Sequence, residues 1–411
     1  MPELDGILRD LARLKSNSEP IISVYLDLRW SDEKQRERVR LFVQEKARHA
    51  LGHYLPESPG RLALARTLAR VKEFVAGLAT QAGDTDRRGI ALFACEGMGL
   101  FRPHLFRRPF ENELCLDAIP HLVQLARFAD EYEPAIVVVP NQGGADLYQV
   151  SLGDLAVEAR LRGFVPRREN DEFNPGAAKP GRQFERLQKD ERHQEAFIQK
   201  NRRAAAAEAT ALFDRSPGSK VVLVGPSEVV AAFERELPER VRARVIAKLP
   251  RPREWDSADG IRRAGVIAGV SQAIERHERE ADAGAVDALV GEALRGGVAV
   301  VGPEDVVLAL NEGRIHRLVI EQDFHRAGWR CEVCGALGMT EDDERCPWCA
   351  GELHTTGDLG EALVARTLRE GGEVEVVAHT NKLHSYRGIG AFLRQTGATG
   401  LRGAEPWPTA G

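Results

Sequence analysis

The chain has 411 residues, 43% of them hydrophobic and 29% charged, and this length predicts two or three domains of about 100 to 200 residues each. The net charge of -5 excludes general coating of nucleic acid, so any RNA contact has to come from local basic patches. No apolar run is long enough to cross a bilayer, and residues 1–15 lack the layout of a secretory signal. We therefore expect a cytoplasmic protein without membrane contact.

Residues 1–133 predict an α/β domain. Residues 20–28 (PIISVYLDL) form a short β-branched run that is typical of a buried strand. A long amphipathic helix follows Ser31, which fits its N-cap, and this helix carries Arg36, Arg38, Arg40, Lys46 and Arg48. Residues 88–95 and 99–103 predict paired strands around a short turn. No catalytic cluster is visible in this segment.

Arg29 and Trp30 follow the first predicted strand and are candidate RNA-binding residues. Trp30 can stack on a base, or the pair can cap the edge of the core, and the second role is the commoner one.

Residues 134–256 predict a second α/β domain. Residues 134–140 (PAIVVVP) form a continuous apolar strand, and residues 145–151 and 155–161 continue it as a meander. A meander followed by alternating helices and strands is typical of an RNase H-like layer. Asp146 and Asp154 are the acidic pair on these strands that would hold magnesium in a nuclease, but their positions are more typical of turn residues.

A basic segment, residues 174–203, lies inside this middle domain. Pro180 and Gly181 predict a loop over residues 174–183, and a long helix is expected after it. The basic side chains are Lys179, Arg182, Arg186, Lys189, Arg192, Lys200, Arg202 and Arg203. Guanidinium groups pair with phosphates, so this tip and helix suit an RNA-lined cavity. The alternative is a solvated surface helix with a mobile lead-in, which is commoner for such a segment taken alone.

Residues 257–411 predict a third α/β domain with a zinc ribbon inserted at residues 329–352. Two pairs, Cys331-x-x-Cys334 and Cys346-x-x-Cys349, are separated by eleven residues, a spacing that places four thiolates around one zinc ion. All four ligands are thiols, which indicates a structural site; an iron-sulfur cluster or a redox dithiol is the alternative. Gly335 and Gly351 are expected to form the tight turns of the ribbon. Cys95 and Cys115 stand alone in apolar contexts and predict buried thiols.

Four features in this order carry a resemblance to a known superfamily. They are Arg192-His193 on the basic helix, the turn at residues 142–145, the helix and strand at residues 306–320 and the ribbon. Together they resemble the archaeal and eukaryotic class-one release factor and Pelota superfamily. The resemblance implies a fold of three α/β domains: an N-domain, an RNase H-like middle domain with an extended basic loop, and a kink-turn-binding ribosomal-protein-like sandwich with an inserted zinc ribbon.

The chain departs from the releasing members at one tripeptide. Where they have Gly-Gly-Gln, which positions water at the peptidyl-tRNA ester, this sequence has Gly181, Arg182 and Gln183. Arginine adds a bulky cation where the backbone has to pass closely. The sequence also lacks the family's stop-codon reader, so it is most similar to the Balon-type bacterial hibernation factors, a divergent branch of the superfamily.

That similarity implies a non-catalytic stress-response factor in the A site of idle ribosomes. The implied partners are ribosomal RNA, P-site tRNA and elongation factor Tu, with a monomer off the ribosome and one structural Zn²⁺. The implied RNA contacts are Lys179, Gly181, Arg182, Gln183, Arg186, Lys189, Arg192, His193, Arg202 and Arg203, with Arg29 and Trp30 in the N-domain. Two alternatives remain: a rescue or release enzyme acting on peptidyl-tRNA or tRNA through Gln183, and a metal-stabilised RNA-binding scaffold without a ribosomal role.

Overall fold

A computed structural model of the chain describes residues 2–29, 33–55, 57–80, 88–106, 108–131, 135–141, 144–151, 154–162, 180–216, 218–250, 261–339, 344–378 and 381–394. The chain forms two compact units, one of Met1–Glu131 with Arg279–Gly411 and one of Tyr132–Glu278. None of the described helices combines the length and the apolar character needed to span a membrane.

The first segment builds a four-stranded antiparallel sheet in the order β3-β2-β1-β4. Its elements are α1 (Pro2–Ala12), β1 (Ile21–Asp27), α2 (Glu33–Gly52), α3 (Pro59–Thr80), β2 (Gly89–Cys95), β3 (Leu100–Phe106), β4 (Glu113–Asp117) and α4 (Val123–Glu131). Val39 and Val43 lie one helical turn apart on α2, and both are buried with Leu64 and Leu68 of α3 against the sheet. The polar side of both helices is therefore left to solvent.

The middle unit holds a five-stranded sheet in the order β7-β6-β5-β8-β9. Its elements are β5 (Ala135–Asn141), β6 (Gly144–Ser151), β7 (Asp154–Arg162), α5 (Pro180–Arg215), β8 (Lys220–Val224), α6 (Ser227–Glu234), α7 (Glu239–Arg242) and β9 (Val245–Leu249). β5, β6 and β7 are antiparallel neighbours, whereas β8 and β9 run parallel to β5. The expected meander is thus confirmed.

Burial on both faces explains the continuous apolar run of β5. Ile136 and Val138 pack beneath Ala205 of α5, while Val137 packs with Val270 of α8 (Ile261–Leu294) on the other face. A strand covered on both sides has no polar alternation in its sequence.

The helix α5 begins at Pro180, so the prediction that residues 180–183 belong to a loop is wrong. Proline lacks an N–H group, but the first turn of a helix has no internal acceptor for that group, and proline is therefore tolerated there. The rest of the predicted tip, residues 174–179, lies outside the described residues.

The last segment builds a sheet in the order β10-β16-β11-β15 and a separate three-stranded sheet in the order β13-β12-β14. After α8 its elements are β10 (Ala299–Val301), α9 (Pro303–Asn311), β11 (Ile315–Glu321), β12 (Gly328–Cys331), β13 (Leu337–Gly338), β14 (Leu353–Thr356), α10 (Leu359–Arg369), β15 (Glu373–Val377), α11 (Asn381–His384) and β16 (Ile389–Leu393). This segment shares one compact unit with the first. The division into three domains at residues 133 and 256 stays a prediction.

Candidate metal centre and basic surfaces

The four predicted cysteine ligands come together between the strands of the small sheet. The sulfur atoms of Cys331, Cys334, Cys346 and Cys349 all lie within 4.8 Å of one another. Two of the separations are 3.4 Å, between Cys331 Sγ and Cys349 Sγ, and 3.5 Å, between Cys334 Sγ and Cys346 Sγ. The structure therefore brings together four thiols that could hold one metal ion.

Tight turns hold each cysteine pair. In the first, Gly335 adopts a positive φ of 71°, and its N–H donates to Cys331 O at 3.1 Å. In the second, the positive φ falls on Ala350, at 58°, and not on Gly351. Gly351 is needed for a different reason, because a Cβ atom there would lie 2.7 Å from Val333 Cγ2. The prediction of two glycine turns is thus correct only for Gly335.

The chemistry of the donors fits a metal ion. The backbone N–H of Gly351 and the neighbouring Cys331 lower the pKa of Cys349 to about 7, which favours a thiolate. Burial raises the pKa of Cys334 to about 12, so this thiol needs a cation beside it to ionise. Four sulfur ligands without an open position are typical of structural zinc.

The ribbon is anchored to the helices around it by side-chain hydrogen bonds. Asn311 of α9 exchanges two bonds with the backbone of Leu337, at 2.8 and 3.0 Å. Arg366 of α10 donates to Asn311 Oδ1 at 2.7 Å and to Gly335 O at 2.9 Å. These bonds fix the orientation of the ribbon within its unit.

The predicted RNA-binding residues of the middle unit lie along α5. The helix backbone includes Gly181, Arg182, Gln183, Arg186, Lys189, Arg192 and His193 in its first half, for which side-chain positions are not described, and then Arg202 and Arg203. Arg202 is half-buried, whereas Arg203 is exposed and its Nε lies 3.3 Å from Glu236 Oε2. Lys179 and Trp30 lie outside the described residues.

The structure also describes the surroundings of Arg29 and the separation of Asp146 and Asp154. Arg29 is exposed, but its Nε is bound to Asp27 Oδ1 at 2.9 Å. Asp154 pairs with Ser151 at the far end of β6 from Asp146. Five residues of strand separate those ends by roughly 17 Å, which is too far for one magnesium ion to bridge.

A second basic surface lies on α2 and α3, and we call it the α2–α3 surface. α2 carries six basic and three acidic residues, and α3 carries four basic and one acidic residue. The exposed basic residues are Lys34, Arg38, Arg40, Lys46, Arg48, Arg66 and Arg70. The sequence indicated the basic character of α2, but only the packing of α3 beside it shows that the two helices form one surface.

A cluster around His121 was missed by sequence reasoning. The Cys115 thiol donates to Glu113 Oε1 at 3.0 Å, so the expectation of an apolar setting for Cys115 is wrong. Asp117 lies on the same strand, and Glu361 reaches the cluster from α10. The available signal was the alternation of Glu113, Cys115 and Asp117 along β4, which places all three on one face.

The charges of this cluster depend on one another. Burial opposes ionisation of Glu113, but the neighbouring His121, Cys115 and Gln124 outweigh it and lower the pKa to about 2. Burial raises the pKa of Glu361 to about 7. Burial also opposes protonation of His121, but the surrounding Asp117, Cys115 and Glu113 raise its pKa well above the usual value.

One family model matches the middle of the chain. Residues 120–275 match Bacterial archaeo-eukaryotic release factor family 10. The match spans α4, β5 to β9, α5 to α7 and the first half of α8. No curated protein matches the chain.

Several solved structures are similar to this chain at low identity. The archaeal translation termination factor aRF1 is 17% identical, with 96% of this chain and 97% of that chain covered and a TM-score of 0.25. Pelota of Archaeoglobus fulgidus is 14% identical, with 74% and 79% covered and a TM-score of 0.32. Ribosome-bound archaeal Pelota is 12% identical, with 95% and 94% covered and a TM-score of 0.38. These TM-scores are low, so these structures carry no argument about function, and the family match concerns residues 120–275.

Proposed function

We propose, from the premise that this chain is a bacterial archaeo-eukaryotic release factor-like protein, that it binds the ribosome and occludes the A site of idle ribosomes without releasing peptide. Its role would then be hibernation under stress.

The observation that carries this proposal is the concentration of exposed basic residues on the α2–α3 surface. The chain as a whole has a net charge of -5, yet each of these two helices carries three more basic than acidic residues. Arg38, Lys46 and Arg48 are all exposed on α2. Local cationic surfaces on an acidic chain suit a partner rich in phosphate, such as ribosomal RNA.

The helical start of α5 supports binding without release. Arg182 lies in the first turn of a right-handed helix, where the backbone does not need the freedom of glycine. The first turn of a helix presents backbone N–H groups without internal acceptors, and these groups favour phosphate. We propose that this end of α5 contacts ribosomal RNA or P-site tRNA through Lys179, Gly181, Arg182, Gln183, Arg186, Lys189, Arg192 and His193, with Arg202 and Arg203 further along the helix. The proposal assigns Arg29 and Trp30 to ribosomal RNA at the N-terminal segment.

The ribbon and the partner proteins have separate proposed roles. The ribbon would hold one structural Zn²⁺ and keep its sheet folded against α9 and α10. Elongation factor Tu is proposed as an accompanying protein on the ribosome, and the chain is proposed to be monomeric in the cytoplasm when it is free.

Sedimentation with purified bacterial ribosomes and release of labelled peptide from loaded ribosomes test the proposal. We expect the chain to pellet with ribosomes and to release no peptide above background. Gln183→Ala should leave pelleting nearly unchanged, whereas Arg182→Ala should weaken it. Release that depends on Gln183 would replace this proposal with a rescue enzyme, and failure to pellet would leave an RNA-binding scaffold.

A further inference from the structure

A compact group of sulfur, nitrogen and oxygen donors lies at β4, away from the ribbon cysteines. Glu113 and Cys115 are alternate residues of the strand and therefore point to the same side. His121 follows the strand, just before α4. One ligand atom from each of Glu113, Cys115 and His121 lies within 4.8 Å of the other two. Thiol, imidazole and carboxylate are three of the groups that bind zinc in proteins.

The distances around His121 are compatible with donors that share an ion, although the Cys115 thiol donates to Glu113 Oε1 at 3.0 Å, a hydrogen bond that a bound ion would replace. Its side chain is 10% exposed, and its Nδ1 lies 3.7 Å from Glu113 Oε1 and 3.8 Å from Glu361 Oε1. An N–H···O hydrogen bond spans about 2.7 to 3.2 Å, so these separations are too long. Bonds of about 2.0 to 2.2 Å at tetrahedral angles place a nitrogen and an oxygen ligand of one zinc ion about 3.3 to 3.5 Å apart, so each oxygen would move about 0.2 to 0.5 Å closer to Nδ1 when an ion binds.

A carboxylate also faces the other side of the imidazole. Asp117 Oδ2 lies 3.7 Å from His121 Nε2. A histidine that binds metal through one nitrogen commonly donates the other N–H to a carboxylate, and Asp117 would have to approach by about 0.5 Å to accept such a bond and orient the ring. The histidine backbone is fixed as well, because its N–H donates to Ser23 Oγ at 3.0 Å and its carbonyl accepts from the Tyr25 hydroxyl at 2.7 Å.

The carboxylates of the cluster also suit a cation. Glu113, Asp117 and Glu361 surround one imidazole, and their side chains are 26%, 15% and 5% exposed. The positive charge of Arg330, which lies outside this group, attracts the Asp117 carboxylate. Buried carboxylates are costly unless a positive charge compensates them, and a divalent ion would supply two positive charges at the centre of this group.

We propose that Glu113, Cys115 and His121 bind a divalent metal ion of the zinc class, separate from the ion of the ribbon. Glu361 Oε1 is placed to approach the same ion from α10, because it lies near Nδ1 together with Glu113 Oε1. The ion would tie β4 and the start of α4 to α10 and so join the first and last segments of their unit.

Metal content of the purified full-length protein tests this inference. We expect two zinc ions per chain in the wild type and one in Cys115→Ser, which retains the ribbon ion. Cys349→Ser should lose the ribbon ion and retain the other.

Cys95→Ser is the matched control, because Cys95 is a buried thiol outside both clusters and its loss should leave two ions. Glu113→Gln, which preserves the size of the side chain, should lower occupancy of the new site if the serine variant does not fold.

Substitution with Co²⁺ distinguishes the two sites by their sulfur content. The ribbon offers four thiolates and the new site one, so Cys115→Ser should lose about a fifth of the thiolate-to-cobalt absorbance and Cys349→Ser most of it. One zinc per wild-type chain, or two ions that persist in both Cys115→Ser and Glu113→Gln, would overturn the inference. His121 would then be a protonated counterion for the carboxylates.

Discussion

The carboxylate of Glu361 accepts a hydrogen bond from the backbone N–H of Val123 at 3.0 Å, although 238 residues separate the two along the chain. The N–H of Leu122 donates to the same oxygen. These groups stand at the start of α4, where the N–H groups of a helix lack internal acceptors. A residue of α10 in the last segment therefore caps a helix in the first segment.

Loss of this cap should destabilise the whole unit. Glu361→Ala leaves two buried N–H groups without an acceptor and should lower the free energy of unfolding by about 2 to 3 kcal/mol. Glu361→Gln keeps an oxygen at the same place and should cost less. The exposed Glu352→Ala is the control, with an effect within about 0.5 kcal/mol. Urea unfolding at constant m-value measures these differences, and equal midpoints for Glu361→Ala and Glu352→Ala would refute the capping role.

A larger side chain at Gly338 should destabilise the ribbon. A Cβ atom on this residue would lie 2.1 Å from Trp329 Cζ2, so Gly338→Ala forces the indole to move. Overpacking of this kind costs about 1 to 3 kcal/mol. Gly357→Ala is the matched control, because a Cβ there meets no atom within 4 Å. Thermal unfolding followed by tryptophan fluorescence should show a lower midpoint for Gly338→Ala alone.

The ion pair between His325 and Asp358 should make stability depend on pH. The two residues are 2.6 Å apart, from Nδ1 to Oδ2, and the Asp358 carboxylate raises the pKa of His325 above 6.5. A raised pKa means that the stabilisation is complete below pH 6.5 and is lost as the pH rises through the folded-state pKa.

His325→Gln should therefore reduce stability in acid more than in alkali. Unfolding at a series of pH values, with an NMR titration of the ring, measures this difference. Because Asp358 also caps α10 through Gly360 N at 2.9 Å, Asp358→Asn is the companion variant and should return the pKa of His325 toward its ordinary value. An unchanged titration in Asp358→Asn would contradict the assignment.

Removal of one ribbon cysteine should remove the ribbon metal. Cys331→Ser leaves three thiols at a four-ligand site, so metal content should fall by one ion per chain. The loss should loosen the small sheet and leave the sheet of β10, β16, β11 and β15 folded. Elemental analysis and hydrogen exchange measure the two effects, and protein purified without chelator that holds no metal would disprove the assignment.

Charge removal on the α2–α3 surface should weaken ribosome binding in a salt-dependent way. Each phosphate neutralised contributes about 0.7 to 0.9 to the log-log slope of affinity against salt. Replacement of Arg38, Lys46 and Arg48 by alanine should therefore reduce that slope by about 2 to 3 if each contacts one phosphate. The same number of exposed residues, Arg235, Arg240 and Arg242, provides the control triple variant. Identical slopes for the two triple variants would place the RNA contact elsewhere.

Local sequence patterns were sufficient to predict several parts of the fold. The apolar run of β5 predicted a strand because each of its residues enters one of two cores, and the spacing of the ribbon cysteines predicted a common site because short knuckles fix their geometry. The same reasoning failed at Pro180, where proline is compatible with both a loop and the first turn of a helix. It also failed at Cys115, whose polar neighbours are Glu113 and His121.

The sequence by itself determined the α/β character of each segment and the four cysteines that come together in the ribbon, because both follow from interactions between residues close in the chain. Only the tertiary structure decided that α2 and α3 share one basic surface and that Glu361 reaches both His121 and the start of α4. Contacts between residues more than 200 positions apart depend on how the sheets and helices pack, and the periodicity of one segment carries no information about the side chains that another segment brings to it.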